Sequence, residues 1–318
     1  MLDLVDDVRV VQVPVRVPFR GVRRREAVLL RGPTGWGEFA PFLEYDDAEA
    51  ARWLAAALEA CTTGWPPPVR GAVPVNATVP AVPAADVPGV LARFPGCTTA
   101  KVTVAETGQS LADDVARVAA VRAALGPGGR VRVDANGGWT LEQARRALDA
   151  LGAYGLEYAE QPCAALEDLA ALRGRGVLVA ADESVRKAED PLRVARLGAA
   201  DLLVLKVAPL GGVAPALAVA QECGLPVVVS SALDTSVGIA AGVALAAALP
   251  ELPYACGLAT VALLADDVVR EPLDGAGGSI AVGAVVPDPE RLTALAAPPD
   301  RAAWWRARLE RCAGLLAG

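Results

Sequence analysis

Histidine is absent from this 318-residue chain, and that absence excludes more chemistry than any other feature of its composition. No His-ligated zinc or haem site, no Ser-His nucleophile pair and no imidazole base can be built. Aromatic residues make up only 4% of a chain that is 53% hydrophobic, so the core must be assembled from Ala, Val and Leu. Basic residues are outnumbered, 30 Lys+Arg against 37 Asp+Glu, and a net charge of −7 argues against a nucleic-acid partner. The run Arg23-Arg24-Arg25 is too short to reverse that. No Cys-x-x-Cys spacing occurs: Cys61, Cys97, Cys163, Cys223, Cys256 and Cys312 stand singly, as expected of reduced thiols in a cytoplasmic protein. No apolar run reaches the ~20 residues of a membrane span. The nearest, Ser236 to Pro250, reads as a buried helix.

What is present falls into two regions. In the first ~70 residues an apolar run, Ala27 to Leu30, meets a turn at Gly32-Pro33-Thr34-Gly35 and a second strand-like run, Trp36 to Phe39. A helix is expected from Asp46 or Asp47 to about Cys61, with Ala50, Trp53, Leu54, Ala57 and Leu58 on its inner face. This is a small α+β unit. From Val73 onward eight short β-rich runs recur: Val73–Val79, Thr99–Val104, Arg130–Asp134, Leu156–Glu160, Val177–Ala181, Asp201–Val207, Leu225–Ser230 and Tyr254–Leu258. Amphipathic segments fill most of the gaps. Ser110 with Asp113, Thr140 with Gln143, and Asp190-Pro191 are helix-start signals. Leu111, Val115, Val118 and Leu125 are expected on the inner face of the helix that Ser110 starts. The arithmetic is that of a (β/α)7β TIM-type barrel rather than an open doubly wound sheet, since no glycine-rich phosphate turn follows the first run. The barrel would span residues 73–286, with residues 1–72 as a separate α+β unit.

Chemistry in such a barrel belongs at the C-terminal ends of the strands. There the chain places Asp134, Glu160 and Asp182 on three consecutive strands, with Lys101 and Lys206 on strands to either side. Adjacent strands lie about 4.8 Å apart, so the carboxylates can converge, and three like charges so close raise one another's pKa values unless a cation joins them. Oxygen-only donors suit Mg²⁺, with Mn²⁺ as the alternative ion. The bland alternative has each acid capping a helix or pairing with an arginine, and each lysine pairing with a barrel carboxylate. A lysine beside a divalent cation and a second ammonium is expected to have a lowered pKa, as a base requires. Metal and lysines together point to removal of a proton next to a carboxylate.

The set Lys101, Asp134-Ala-Asn136, Glu160-Gln-Pro, Asp182-Glu-Ser and Lys206 resembles the enolase superfamily, muconate-lactonizing subgroup. Gly35-Trp-Gly-Glu-Phe-Ala-Pro41, Val75-Asn-Ala-Thr-Val-Pro80, Leu205-Lys-Val207 and Ser230-Ser-Ala-Leu-Asp-Thr-Ser-Val-Gly238 are similar, within it, to the actinobacterial o-succinylbenzoate synthase family. That resemblance implies a Mg²⁺-dependent dehydratase of menaquinone biosynthesis acting on a small-molecule carboxylate. It makes Asp134, Glu160 and Asp182 the ligands and Lys206 the stabiliser of the intermediate. Arg132, Asn136, Ser230, Ser231 and Arg20 would hold substrate, and Phe19-Arg20-Gly21 with Phe42-Leu-Glu-Tyr45 would close the mouth from an α+β capping domain made of residues 1–72 and the tail from about 287 to 318. Neither nucleic acid nor membrane is an expected partner; the oligomeric state is left open, with a monomer compatible. One position departs from the family. Its second-strand motif is Lys-x-Lys, with the second lysine as the base, and here that position is Thr103. The resemblance therefore implies an impaired enzyme. An N-acylamino acid racemase, a dipeptide epimerase or a non-catalytic paralogue are the alternatives.

Overall fold

A computed structural model describes residues 2–19, 21–186 and 190–317. The chain opens with an antiparallel sheet of β1 (Asp7–Phe19), β2 (Val22–Gly32) and β3 (Gly35–Phe39). The expected hairpin is β2–β3, with Gly32 opposite Gly35. β1 goes beyond that expectation. It contains Pro14, which cannot donate to a ladder, and Pro14 is where the register with β2 begins to shift. The helix Asp47–Leu58 follows. The Asp46 side chain accepts the Glu49 amide, and Ala50, Trp53, Leu54, Ala57 and Leu58 are all buried, as the periodicity predicts. The C-terminal helix Pro299–Ala317 packs Trp305, Leu309 and Cys312 into the same cluster. Phe39 meets Trp305 edge-on at 5.9 Å, a geometry worth about 0.5–1.5 kcal/mol beyond the area it buries. The scarce aromatics are thus concentrated here, and Ala, Val and Leu fill the larger cluster.

Along the rest of the chain run β4 (Ala72–Pro74), β5 (Ala77–Val79), β6 (Thr99–Thr103), β7 (Arg130–Asp134), β8 (Leu156–Glu160), β9 (Val179–Ala181), β10 (Leu202–Leu205), β11 (Val227–Val229) and β12 (Ser279–Ala281). Strands β5 to β11 form one parallel sheet in sequence order. Single parallel bridges, Ser230–Gly257 and Val75–Cys256, carry the eighth run across to the first, so the sheet curls into a (β/α)7β barrel. Two runs differ from their sequence reading. Val73–Val79 divides after Pro74: β4 pairs antiparallel with β12, and only β5 joins the barrel sheet. Tyr254–Leu258 contributes bridges rather than a full ladder.

Capping boxes form at Ser110/Asp113 and Thr140/Gln143 as read. The inner face of Leu111–Leu125 is rotated from the expected one: Asp114, Arg117, Val118 and Val121 are buried, and Leu111 is exposed. The cause is a buried ion pair. Asp114 accepts the Ala105 amide and pairs with Arg117 at 3.0 Å, and Arg117 donates to the Thr103 and Val82 carbonyls. Asp190 does accept the Leu192 amide, but the helix there is only Arg193–Arg196. The apolar segment is the helix Ser236–Ala248, mostly buried. Among the described residues no helix is long and apolar enough to cross a membrane.

Candidate active site

Pairing within the parallel sheet fixes the depth of each side chain. Thr103 is the register partner of Asp134, and Asp134 of Glu160, so the ends of β6, β7 and β8 are level. Asp182 follows β9 directly, and Lys206 follows β10. Lys101 lies two residues deeper on the strand than Thr103 and shares its face. The described non-glycine residues with positive φ are Ala105, Asn136, Gln161 and Leu233, each just beyond the C-terminal end of a barrel strand. Such conformations cost of order 1–3 kcal/mol each and persist only where surroundings over-determine them, which marks this rim as the functional end.

The charged groups form a chain across five strands in which two lysines flank three acids, bonded as two clusters, one around Lys101 and one around Asp182. Lys101 Nζ donates to Asp134 Oδ2 at 2.8 Å and to Glu160 Oε1 at 2.9 Å. Lys206 Nζ donates to Asp182 Oδ2 at 2.5 Å, while Arg186 Nε donates to Asp182 Oδ1 at 2.9 Å. All of these groups are largely buried. Burial works against the Lys101 ammonium, yet the charges of Asp134 and Glu160 outweigh it and hold its pKa above the ordinary lysine value. In this arrangement Lys101 is held as a cation. Glu160 is pushed up to about 8, first by burial and then by the charge of Asp134, with Asp182 adding to it. Burial also opposes the Asp182 carboxylate, but Lys206 and Arg186 keep its pKa below the usual range.

The three acids therefore do not meet as a ready-made triad. Among the described residues no three His, Cys, Asp or Glu side chains stand placed to hold a metal ion, because ammonium groups take the acid oxygens that would face it. The donor chemistry still fits a hard divalent cation: the donors are oxygens only, buried, and near enough for Asp134 and Asp182 to act electrostatically on Glu160.

Asp134 opens onto a cleft lined among others by Lys101, Asn136, Arg186, Lys206, Ser230 and Ser231, while Glu160 and Asp182 are buried. Ser231 Oγ is bonded to the Gly257 carbonyl and to Thr260 Oγ1. Phe42, Tyr45 and Trp53 enter the lining from the N-terminal unit. Arg132 does not. It is fully buried two residues below Asp134, donates to Glu157 at 2.5 Å, to Asn76 and to the Ala255 carbonyl, and lies over the Tyr158 ring. Its expected role at the mouth is thus corrected. An inward side chain one pleat deeper builds the barrel core. Thr103 is partly exposed and lines an open cleft with Gly21, Ala105 and Asn136, the last of which also lines the first cleft. Arg20 lies outside the described residues. Arg186 escaped the sequence reading, although its i,i+4 spacing from Asp182 on the helix Glu183–Arg186 was a usable signal.

Comparison with known proteins agrees with this architecture. Residues 10–61 match the family described as Enolase N-terminal domain-like, and residues 90–289 match Enolase C-terminal domain-like. The o-succinylbenzoate synthase of Mycobacterium marinum is 59% identical over 99% of this chain and 95% of its own length. That of Thermobifida fusca is 58% identical over 95% of this chain and 94% of its own. Among solved structures, muconate lactonizing enzyme from Pseudomonas putida superposes with a TM-score of 0.77 at 21% identity, covering 92% of this chain and all of that one. The 2-chloromuconate cycloisomerase of Rhodococcus opacus 1CP gives 0.77 at 23%, with the same coverage. The chain belongs to the o-succinylbenzoate synthase family of the enolase superfamily.

Proposed function

We propose that this chain is a carbon–oxygen lyase, dehydrating 2-succinyl-6-hydroxy-2,4-cyclohexadiene-1-carboxylate to 2-succinylbenzoate, with residues 1–72 and about 287–318 as cap and 73–286 as catalytic barrel. The reaction removes the proton next to the ring carboxylate and expels the neighbouring hydroxyl as water. The observation that carries the reading is the chain of charges Lys101, Asp134, Glu160, Asp182 and Lys206, three carboxylates on consecutive strand ends flanked by two ammonium groups, beside a cleft lined by Lys101, Asp134, Lys206, Ser230, Ser231 and aromatic side chains of the N-terminal unit. Asp134, Glu160 and Asp182 would hold a divalent cation, Mg²⁺ before Mn²⁺. When bound, that ion supplies positive charge against the charge developing on the substrate carboxylate.

The chain's own groups do the rest. Lys206, on the far side from Lys101, presents a second positive charge to the same region. Ser230, Ser231 and Asn136 offer hydrogen bonds to substrate oxygens. Phe42, Tyr45 and Trp53 exclude water, which strengthens every charge interaction inside. Lys101 already holds its proton against two carboxylates, so it is a poor acceptor. At position 103, where the family resemblance places the base, stands a hydroxyl that cannot act as one near neutral pH. This observation favours a second reading, a relative that binds the product and metal with little turnover. It counts equally against a racemase, which needs bases on both faces of its substrate. The test is formation of 2-succinylbenzoate, together with exchange of the substrate α-proton in deuterated water, with Mg²⁺ and with EDTA. Metal-dependent product formation supports the dehydratase; metal and product binding without exchange supports the second reading.

A further inference from the structure

The loop that follows β11 has a conformation it cannot support alone. Leu233 is buried and has a φ of +63°, which a side chain rarely adopts. The support comes from the N-terminal unit, far away in sequence. Arg25 on β2 is 3% exposed, and its Nε donates to the Leu233 carbonyl at 3.0 Å. Its Nη2 donates to the Ala40 carbonyl and stands 3.6 Å from Asp234, whose other oxygen accepts the Ala232 amide. The same guanidinium lies over the Phe42 ring, 4.8 Å from its centroid. Glu38 on β3 accepts the Thr235 amide and hydroxyl and the Gly238 amide. Leu233 and Phe42 both line the cleft beside the charged chain; Arg25 does not.

We propose that Arg25 is a positioning residue for substrate: one planar guanidinium fixes the Leu233 and Phe42 walls of the cleft relative to each other and so sets the shape of the organic acid it accepts. A planar fork with donors in fixed directions can hold two carbonyls and face a ring at once, which an ammonium cannot. The seat is therefore assembled only when the N-terminal unit docks on the barrel. This rests on the function proposed above, since the occupant is that reaction's product.

The test measures the Kd of 2-succinylbenzoate by calorimetry with Mg²⁺ present, in the wild-type chain, Arg25→Lys and Arg25→Met, alongside Mg²⁺ affinity alone and amide exchange of residues 232–238. The expected result is product affinity weakened about tenfold or more in Arg25→Met and less in Arg25→Lys. Mg²⁺ affinity is unchanged, and faster exchange is confined to that loop. Product affinity unchanged in a folded Arg25→Met overturns the proposal alone. Equal loss of Mg²⁺ and product affinity also overturns it, by showing general damage. Should Arg25→Met fail to fold, Arg25→Lys decides: wild-type affinity and loop exchange there overturn the proposal. Failure of the wild type to bind the product overturns the functional reading and this inference with it.

Discussion

Replacing Thr103 by lysine should convert this chain into a much faster dehydratase. A positioned general base contributes about 10²–10⁴-fold, or roughly 2.7–5.4 kcal/mol of barrier at 1.36 kcal/mol per decade. The position can take the side chain. Thr103 ends β6 level with Asp134, is only partly buried, and faces an open cleft, so the new amine displaces no core atom. Nor can Lys101 already perform the task. It sits about 6.6 Å deeper, at roughly 3.3 Å per strand residue. Its proton is also held between Asp134 and Glu160, at 2.8 and 2.9 Å. The assay is 2-succinylbenzoate formation under single-turnover conditions with saturating Mg²⁺, comparing wild type, Thr103→Lys and Thr103→Met. Only the lysine variant should gain, and its gain should rise with pH as the amine loses its proton. Equal rates in wild type and Thr103→Lys would refute the reasoning and place the base elsewhere.

Three further outcomes follow from the buried charges and caps. Glu38 is pushed from 4.5 up to about 8, by burial first and the charge of Asp234 second. The native state thus binds more protons than the unfolded chain between those values, so this contribution to stability is full below pH 4.5 and is lost as pH rises through 8. Unfolding midpoints measured from pH 6 to 9 should fall in the wild type and fall less in Glu38→Gln; parallel curves would contradict the assignment. Arg132→Met leaves Asn76 Oδ1 and the Ala255 carbonyl without this donor while Glu157 keeps Arg130 at 2.6 Å, a loss of about 1–3 kcal/mol in denaturant titration. Product affinity measured below the midpoint should change little, and a large loss of affinity would restore Arg132 to the substrate site. Ser110→Ala removes one half of a capping box and should cost about 1 kcal/mol by the same titration, with activity unchanged.

Much of this protein was legible along the chain because its signals are local. The period of the helix at Asp47–Leu58, the caps at Ser110 and Thr140, and the strands Arg130–Asp134 and Leu156–Glu160 all depend on neighbours a few residues away. The order of acids and lysines at successive strand ends needed only the alternation of a barrel. What required tertiary structure was pairing and depth. No local pattern says that Arg132 turns into a layer of tyrosines rather than the mouth, that Asp114 and Arg117 replace an apolar stripe, or that β4 pairs with β12. Nor could spacing show that the lysines would take the acids as direct partners, or that Arg25 would reach more than 200 residues ahead to a strained carbonyl at Leu233. Composition and periodicity set which segments become strands and helices, since those are short-range preferences of the backbone. The partner of each buried charge is set by which surfaces meet when the barrel closes, and that is a property of the folded chain alone.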